Sequence, residues 1–344
     1  MSIELLTFDD ALGACRDANV QPHLLLGNGF SISCRPDAFN YGALLDEATF
    51  NTAHGDVRAV FELLGTTDFE RVIELLRLAG DLTDRYEPGA GLGEKLRHDA
   101  QAVREALAVT LAARHPDLPF DIDQVEYEAV RKFLQHFRKI YTLNYDMLLY
   151  WAVMQDLEPE VPTNDGFRNG NDPGADYVIW EPYLDYGEQR LFFLHGGLHL
   201  YDSGHEISKI TWSRTGVPLV DQIREALAGE RYPLIVTEGT SQEKEAKVLH
   251  NAYLNHAIRS FAKIQKTIFI HGHSLAAKDR HIFRRIEEGK LERVYISLYG
   301  DPESQANREV VVRGQQLATN RTAFDHRRPL TVEFYDAESA HVWG

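Results

Sequence analysis

Six short apolar runs, each ending in Gly, Asn, Asp or Ser, constrain the fold of this 344-residue chain more than any other feature. A strand buried on both faces gives such an unbroken run, and the polar or glycine residue marks the following turn. Helical patterns between several runs predict a mostly parallel sheet covered on both faces. The runs are HLLLGNGFS (23–31), FRKIYTLNYD (137–146), RLFFLHGGL (190–198), YPLIVTEG (232–239), KTIFIHGHS (266–274) and RVYISLYGD (293–301).

The fold class that this pattern predicts is α/β, with a Rossmann-like parallel sheet and helices on both faces. Residues 56–136 have a helical pattern without a strand, and we expect them to form an insertion or lid over the carboxyl edge of the sheet. We therefore predict a single domain over 1–344, with its core in about 1–55 and 137–344. Residues 158–189 are expected to form a long loop with a hairpin, and the last 45 or so residues one helix and a final strand, VEFYD.

Composition excludes several classes of protein. A formal net charge of -16 disfavours direct binding to nucleic acid or to an anionic membrane surface. The two cysteines, Cys15 and Cys34, cannot form a disulfide framework or a four-cysteine zinc site. No stretch reaches the ~18 apolar residues of a membrane span, and acidic residues stand where a signal peptide would be basic. We expect a cytoplasmic protein without a membrane segment.

The first run ends in Gly27, Asn28, Gly29, Phe30 and Ser31, at the tip of a predicted strand. Glycines there let the backbone turn tightly and approach a pyrophosphate, which the following amides and the serine hydroxyl can bind. The complete GxGxxG pattern is absent, because Ile32 stands where the third glycine would be. The pattern therefore fits either a nucleotide-binding loop or a simple turn.

The second run ends at Thr142, followed by Asn144 and Asp146. The side chain of Asn144 is expected at the ligand edge of the sheet, where an amide can hold a ribose hydroxyl or orient a water molecule. An Asx turn would explain the same residue equally well. Asp146 is expected mainly to cap the next helix, with a contact to the ribose as the alternative.

The third run ends in His195 and Gly196, which leaves an imidazole accessible at a strand tip. Imidazole titrates near neutral pH, so His195 could act as a general base or bind a ribose hydroxyl. A structural histidine is the alternative, because the chain has 15 histidines. No HExxH zinc motif occurs among them, and we expect no metal site.

The fifth and sixth runs add further candidates for nucleotide binding. Gly272, His273 and Ser274 repeat the combination of glycine and hydroxyl at another strand tip, and Asp279 is expected to cap the helix that follows. Tyr299 lies at the end of the sixth run, where it could contact an adenine or its ribose. Because the carboxyl ends of parallel strands share one edge, all these residues are expected to meet there.

Taken in order, the segments GNGFS (27–31), TLNYD (142–146), LHGG (194–197) and IHGHS (270–274) resemble the sirtuin-like superfamily. Its members have a GAGxS loop, a strand ending in Asn and Asp, a catalytic HG and a later GxS. The segment DFE (68–70) also resembles a motif of bacterial sirtuin-like proteins, as does IVTEG (235–239) with a later lysine.

Several departures from the sirtuin pattern define the subclass that the chain resembles. The four-cysteine zinc ribbon of the deacylases is absent, as is their GIPDFR stretch; Asn28 replaces an alanine and Leu143 a glutamine. These differences argue against protein deacylation. The chain is more similar to the zinc-free bacterial branch, whose characterised members resemble NAD+ hydrolases of antiphage defence.

The resemblance implies that NAD+ is the substrate and that its phosphates rest on the Gly27–Ser31 amides. Asn144 would orient the attacking water or the ribose diol, and His195 would act as base or bind the ribose hydroxyls. Two other functions stay open: a catalytically silent nucleotide sensor or assembly module that acts with a partner, and ADP-ribosyl transfer. Regulation is expected through a homo-oligomer or a separate regulatory chain.

Overall fold

The computed structural model describes residues 5–344 apart from 40, 53–54, 90, 171, 173, 182–186, 230 and 237–239. For residues 41–43 only the backbone is described.

A seven-stranded sheet forms the centre of the fold, and all of its neighbouring strands run parallel. Helices flank this sheet, which confirms the predicted Rossmann-like α/β class. Its central strands are buried along their carboxyl-terminal halves, as the unbroken apolar runs predicted. In spatial order the strands are β1 (Leu5–Leu6), β11 (Thr331–Asp336), β10 (Lys290–Leu298), β9 (Gln265–His271), β2 (His23–Leu26), β3 (Ile140–Thr142) and β6 (Leu191–Phe193).

The order of the strands places a topological switch point between β2 and β9. From β2 the chain continues to β3 and β6 on one side; it then returns to β9, on the other side of β2, and continues to β10 and β11. Loops that leave neighbouring strands in opposite directions open a crevice at the carboxyl edge, where ligands of such sheets bind.

Polar side chains define where several helices begin. The hydroxyls of Thr7, Thr240 and Ser304, and the carboxylate of Asp68, each accept a hydrogen bond from an amide in the first turn of the following helix. Such caps satisfy donors that have no partner inside a helix. The helices are α1 (Phe8–Asp17), α2 (Gly29–Cys34), α3 (Pro36–Phe39), α4 (Tyr41–Glu47), α5 (Val57–Leu64), α6 (Phe69–Tyr86), α7 (Leu92–Arg114), α8 (Gln124–Leu134), α9 (Leu148–Met154), α10 (Trp212–Thr215), α11 (Leu219–Ala228), α12 (Ser241–His250), α13 (Ala252–Ala262), α14 (Arg280–Glu288) and α15 (Gln305–Phe324).

Between β2 and β3 the described residues form helices and loops but no strand, and α5 to α8 fall within the region where the sequence predicted helices. The helix break predicted at EPGAGLG (87–93) coincides with the end of α6 at Tyr86 and the start of α7 at Leu92, and these two helices pack along each other. None of the helices in the described part of the chain is long and apolar enough to cross a bilayer.

A second, antiparallel sheet lies outside the main one and was largely missed by the sequence analysis. It contains the hairpin that was expected within 158–189, joined by a second hairpin from residues 200–210. Its strands are only two to four residues long, too short to give a clear alternating pattern. In spatial order they are β4 (Phe167–Arg168), β5 (Tyr177–Trp180), β8 (Ile207–Ile210) and β7 (Leu200–Asp202).

Two predicted elements differ from the structure. Residues 232–236 form no strand: Ile235 makes an isolated bridge to Gly196, and the segment is apolar because it covers the tip of β6. The rest of that run, 237–239, lies outside the described residues. The helix expected over 242–264 is two helices, because Asn251 is extended and its side chain caps α13.

Candidate active site

A cavity of about 1250 Å³ lies at the carboxyl edge of the main sheet. Such a volume exceeds that of most small-ligand pockets, which reach about 1000 Å³, so an extended ligand could fit. The carboxyl ends of six neighbouring strands, from β11 to β6, contribute to its lining. Of the residues predicted to bind the ligand, those that line the cavity are Asn28, Gly29, Asn144, Asp146, His195, Gly272, His273, Ser274 and Tyr299.

The other predicted residues lie behind this lining, where they have structural contacts. Phe30 is fully buried, packs against Trp343 and accepts a hydrogen bond from its indole at 2.8 Å. Thr142 accepts a bond from the backbone amide of Asn144, which orients that residue at the strand tip. Gly27, Ser31 and Gly196 support the site through the contacts described next.

The loops after β2 and β9 pack backbone against backbone. A Cβ atom on Gly27 or Gly29 would lie 2.6–2.7 Å from atoms of Gly272 and His273, and one on Gly272 would lie 2.6 Å from the amide nitrogen of Phe30. Gly272 also has φ +68°, a conformation that favours glycine. The glycines therefore allow two neighbouring strand tips to approach each other.

This packing engages the amides that were expected to bind phosphates. The amides of Gly27 and Gly29 donate to carbonyls of His271 and Gly272, while those of Phe30 and Ser31 donate to carbonyls of the loop itself. Among the described residues, the Asn28 amide is the one in this loop for which no acceptor is found. The structure does not support phosphate binding by the whole loop.

Ser31, Asn144 and Asp146 form a buried hydrogen-bonded chain at the ends of β2 and β3. Ser31 Oγ donates to Asp146 Oδ2 at 2.5 Å and accepts from Asn144 Nδ2 at 2.9 Å. Asn144 Nδ2 also donates to the carbonyl of Gly27. Burial raises the pKa of Asp146, while its bonds to Ser31 and to a helix amide oppose that change.

Two side-chain atoms in this chain of hydrogen bonds determine which groups it can bind in the cavity. Asp146 Oδ1 accepts the Leu148 amide at the start of α9, as expected for a residue that precedes a helix. The Nδ2 group of Asn144 is committed to the protein, whereas no described residue bonds its Oδ1. Asn144 can therefore present a fixed acceptor to a hydroxyl group or a water molecule in the cavity.

His195 lies at the tip of β6 with its ring buried. Its Nε2 atom is 3.1 Å from Nε2 of His281, the planes of the two rings lie within 20° of each other, and Oδ1 of Asp279 lies 4.0 Å away. Burial lowers the pKa of His195 to about 4, and the carboxylate of Asp279 only partly opposes this effect. The imidazole is therefore neutral at physiological pH.

The backbone around His195 is fixed by a crossing segment. Gly196 has φ +79°, and a Cβ there would lie 1.8 Å from the carbonyl oxygen of Leu234. The carbonyl of His195 accepts from Val236, and the amide of Gly197 donates to Leu234. These contacts explain why glycines follow the histidine and why residues 232–236 are apolar.

A buried cluster of charged residues beside His195 was missed by the sequence analysis. Lys244 Nζ lies 2.7 Å from Glu70 Oε2 and 3.5 Å from Asp279 Oδ1, while Tyr145 donates to Glu70 Oε1 at 2.8 Å. Lys278 lies 3.1 Å from Glu70. Against the effect of burial, Lys244 and Lys278 lower the pKa of Glu70, and the hydrogen bond with His273 together with Lys244 lowers that of Asp279, so both carboxylates are ionised.

Only weak sequence signals pointed to this cluster. Glu70 belongs to the segment DFE that resembles a family motif, and Asp279 was expected only to cap α14. In the structure Asp279 is buried, accepts no helix amide through its side chain, and lies 3.2 Å from Nε2 of His273. Asp279 therefore places a negative charge beside the histidines instead of capping α14.

The remaining predicted residues lie farther out in the cavity. Ser274 is exposed, and its carbonyl accepts from Arg313, which also lines the cavity. Tyr299 is 74% exposed. Their accessibility fits the outer part of an elongated ligand, while Asn144 and His195 lie at the buried part.

The fold and this edge define a Rossmann-like α/β protein with a buried polar site at the carboxyl ends of its strands. The chain belongs to the family described as a domain of unknown function (DUF4917), whose profile matches residues 24–343. That match extends over the main sheet from β2 onward, the helices between β2 and β3, and the second sheet. No curated protein matches the sequence.

Proposed function

We propose that this protein hydrolyses NAD+ to nicotinamide and ADP-ribose. The observation that carries the proposal is that Asn144 and His195, which follow different strands, line one large cavity at the carboxyl edge of the sheet. Sheets of this class bind nucleotides at that edge. The choice of NAD+ as the substrate rests on the ordered segments of the sequence that resemble sirtuins.

The reaction breaks the bond between C1 of the ribose and the nitrogen of nicotinamide. The bonding electron pair leaves with nicotinamide, and a water oxygen bonds to C1 of the resulting oxocarbenium-like centre. The water loses one proton, so the products are nicotinamide, ADP-ribose and H+. Exclusion of other nucleophiles favours this outcome, and the helices between β2 and β3 would serve as the lid.

In this proposal Asn144 orients the water or the ribose diol through Oδ1. Because its Nδ2 group is held by Gly27 and Ser31, the side chain need not be ordered when the substrate binds. A preorganised acceptor of this kind keeps the reacting atoms close and aligned.

His195 accepts the proton of the attacking water through Nδ1. The carboxylate of Asp279 lies near Nε2 and favours the ring proton on that nitrogen, which leaves Nδ1 as the acceptor. No described residue bonds Nδ1. The low pKa of the ring keeps this acceptor free of a proton at neutral pH.

The pyrophosphate of NAD+ would lie in the outer part of the cavity. Since most amides of the 27–31 loop are engaged, the Asn28 amide and Arg313, a residue that lines the cavity, would bind the pyrophosphate. Tyr299 would contact the adenine or its ribose. In this proposal the nicotinamide end lies near His195.

The test is incubation of the purified protein with NAD+, with nicotinamide and ADP-ribose followed by chromatography. The wild type should release both products, and His195→Ala and Asn144→Ala should lose at least 100-fold in rate, the scale of general acid–base and positioning effects. The matched control is His205→Ala, because His205 is exposed in the hairpin between β7 and β8.

Each outcome of this test has a definite meaning. Circular dichroism must show that the variants are folded, and full activity in both would refute the proposal. Binding of NAD+ by calorimetry without product release from the wild type would favour the alternative of a silent nucleotide sensor. Label transferred from NAD+ to a macromolecule would instead indicate ADP-ribosyl transfer.

The biological role that we propose is that of an effector in bacterial antiphage defence, which would act by depleting NAD+. This role rests on the sirtuin-like resemblance alone. A homo-oligomer or a separate regulatory chain would control the rate at which such an enzyme consumes NAD+ in the cell.

A further inference from the structure

We infer that His195, Asp279 and His281 form a binding site for one divalent transition-metal ion. One side-chain atom from each residue lies within 4.8 Å of the others, and all three residues are buried. The inference goes beyond NAD+ hydrolysis and does not depend on it, and it differs from the expectation, drawn from the sequence, that the protein has no metal site.

An unsatisfied carboxylate oxygen is the first argument for an ion. Oδ1 of Asp279 is buried and has no hydrogen-bond partner among the described residues. Lys244 lies 3.5 Å away but directs its hydrogen bond to Glu70 at 2.7 Å. A buried charged oxygen without a hydrogen bond is costly, and an ion is one of the few groups that can satisfy it.

The spacing of the nitrogen atoms is the second argument. Two ligands on a tetrahedral zinc ion, each about 2.0–2.1 Å from it, are about 3.3 Å apart. The Nε2 atoms of His195 and His281 are separated by 3.1 Å, so both lone pairs could meet at one ion. Oδ1 of Asp279 lies 4.0 Å from Nε2 of His195 and would have to move slightly inward.

The outer contacts of the three side chains are those typical of metal ligands. Nδ1 of His281 lies 3.2 Å from Oγ of Ser241, and Oδ2 of Asp279 lies 3.2 Å from Nε2 of His273. Bonds of this kind fix the orientation of a ligand and the tautomer of an imidazole. His195 and Asp279 line the cavity, so a fourth position would face it and could hold water.

The ligand types indicate which ions fit. Two imidazoles and one carboxylate suit Zn²⁺, Co²⁺, Ni²⁺ or Fe²⁺, whereas Mg²⁺ and Ca²⁺ prefer oxygen ligands. Glu70 and Asp279 balance Lys244 and Lys278, so the local charge without an ion is close to zero. The nearby ammonium groups favour modest rather than very tight binding.

An ion on Nε2 of His195 would leave the ring proton on Nδ1. His195 could then donate a hydrogen bond into the cavity but could not accept a proton there. This consequence rests on the proposed function, and it predicts that the ion inhibits NAD+ hydrolysis. Metal binding itself is measured without NAD+, so failure of one proposal is distinguishable from failure of the other.

The experiment is titration of the full, metal-free protein with Co²⁺, followed by visible absorption and by equilibrium dialysis. One Co²⁺ per chain should bind, with the strong visible bands of four- or five-coordinate cobalt. Zn²⁺ should displace it and remove the bands. His281→Gln and Asp279→Asn should each weaken binding at least 10-fold.

The matched control is His250→Gln, which removes an exposed histidine at the end of α12. It should bind Co²⁺ as the wild type does. Circular dichroism checks that His281→Gln and Asp279→Asn are folded. Absence of Co²⁺ binding to the wild type, or unchanged binding in folded His281→Gln, would overturn the inference.

Discussion

Lys244 donates a 2.7 Å hydrogen bond to Glu70, and both side chains are buried where α12 meets the start of α6. The pair connects the helices between β2 and β3 to the side of the sheet that carries His195. Without Lys244, Glu70 keeps its contact with Lys278 but Asp279 loses its nearby ammonium group, and undercompensated buried charges are costly. We expect Lys244→Met to lower the free energy of unfolding by about 3–5 kcal/mol in urea denaturation.

A double variant separates the charge effect from the loss of packing. In Glu70→Leu/Lys244→Met both charges are replaced by apolar side chains, so part of the lost stability should return; Asp279 and Lys278 still lose a partner. The exposed ion pair of Lys266 and Glu292 serves as the comparison. Lys266→Met should lower the free energy of unfolding by less than about 1 kcal/mol. Equal costs for Lys244→Met and Lys266→Met would show that burial does not matter.

Gly272 and Gly300 allow the crowding of the strand tips to be tested. Both have φ +68°, but a Cβ on Gly272 would lie 2.6 Å from Phe30 N, whereas Gly300 has nothing within 4 Å. Gly300→Ala should lower the free energy of unfolding by about 1–2 kcal/mol, because only its backbone is strained. Gly272→Ala should lower the free energy of unfolding by more than this, because its Cβ would also collide with the 27–31 loop and displace it.

Thermal denaturation of the two glycine variants measures this difference directly. If Gly272→Ala is no less stable than Gly300→Ala, the close approach between the loops does not constrain the sequence. The comparison also bears on the proposed function, because displacement of the loop should weaken NAD+ binding in Gly272→Ala and leave it nearly unchanged in Gly300→Ala.

The main sheet could be predicted from the sequence because its strands are buried on both faces. Runs such as those that end at Leu26 and His271 have no polar interruption, and their following residues turn at one common edge. Because Asn144 and His195 both follow strands that end at this edge, they line the same cavity. The rule that parallel strands share a carboxyl edge was sufficient for this step.

The contacts that surround the site could not be predicted in the same way. Glu70, Lys244 and Asp279 are far apart in the chain, and a pattern of apolar residues does not show which buried charges meet. The engaged amides of Gly27 and Gly29 were missed because a glycine pattern fits close backbone packing as well as phosphate binding. Only the packing of β2 beside β9 distinguishes the two.

The pH dependence of NAD+ hydrolysis should reflect the buried state of His195. Its pKa is lowered to about 4 by burial; Asp279, Lys244, Glu70 and His273 act on it electrostatically, and His281 lies 3.1 Å from its Nε2. The ring is an acceptor only when neutral, so the rate should fall as the pH drops through about 4. Between pH 6 and 8 the rate should not change through titration of His195.

Initial rates of nicotinamide release between pH 4 and 8, measured in a chelator, test this prediction. The fraction of folded protein has to be followed in parallel by circular dichroism. A rate that loses half its value near pH 6.5 in folded protein would mean that His195 is solvated during the reaction, and would contradict its role as a buried base.

Buried histidines should also make the fold sensitive to acid, and His271 gives the simplest case. Burial alone lowers its pKa to about 4, and its Nδ1 lies 2.9 Å from the hydroxyl of Tyr335. In the unfolded chain the pKa is about 6.5. The unfolded state therefore takes up a proton first as the pH falls, so His271 lowers stability between about pH 6.5 and 4, by up to about 3 kcal/mol.

Urea denaturation of the wild type and His271→Phe at several pH values tests this contribution. The variant loses the contact with Tyr335, so its absolute stability is not informative; the measured quantity is the slope of stability against pH. This slope is proportional to the number of protons taken up on unfolding. Between pH 6.5 and 4 it should be smaller in His271→Phe, by the equivalent of about one proton. His205→Phe is the control, because it removes an exposed histidine and leaves the core intact. Identical slopes in wild type and His271→Phe would show that His271 is protonated in the folded protein, and that the edge of the sheet is open to water there.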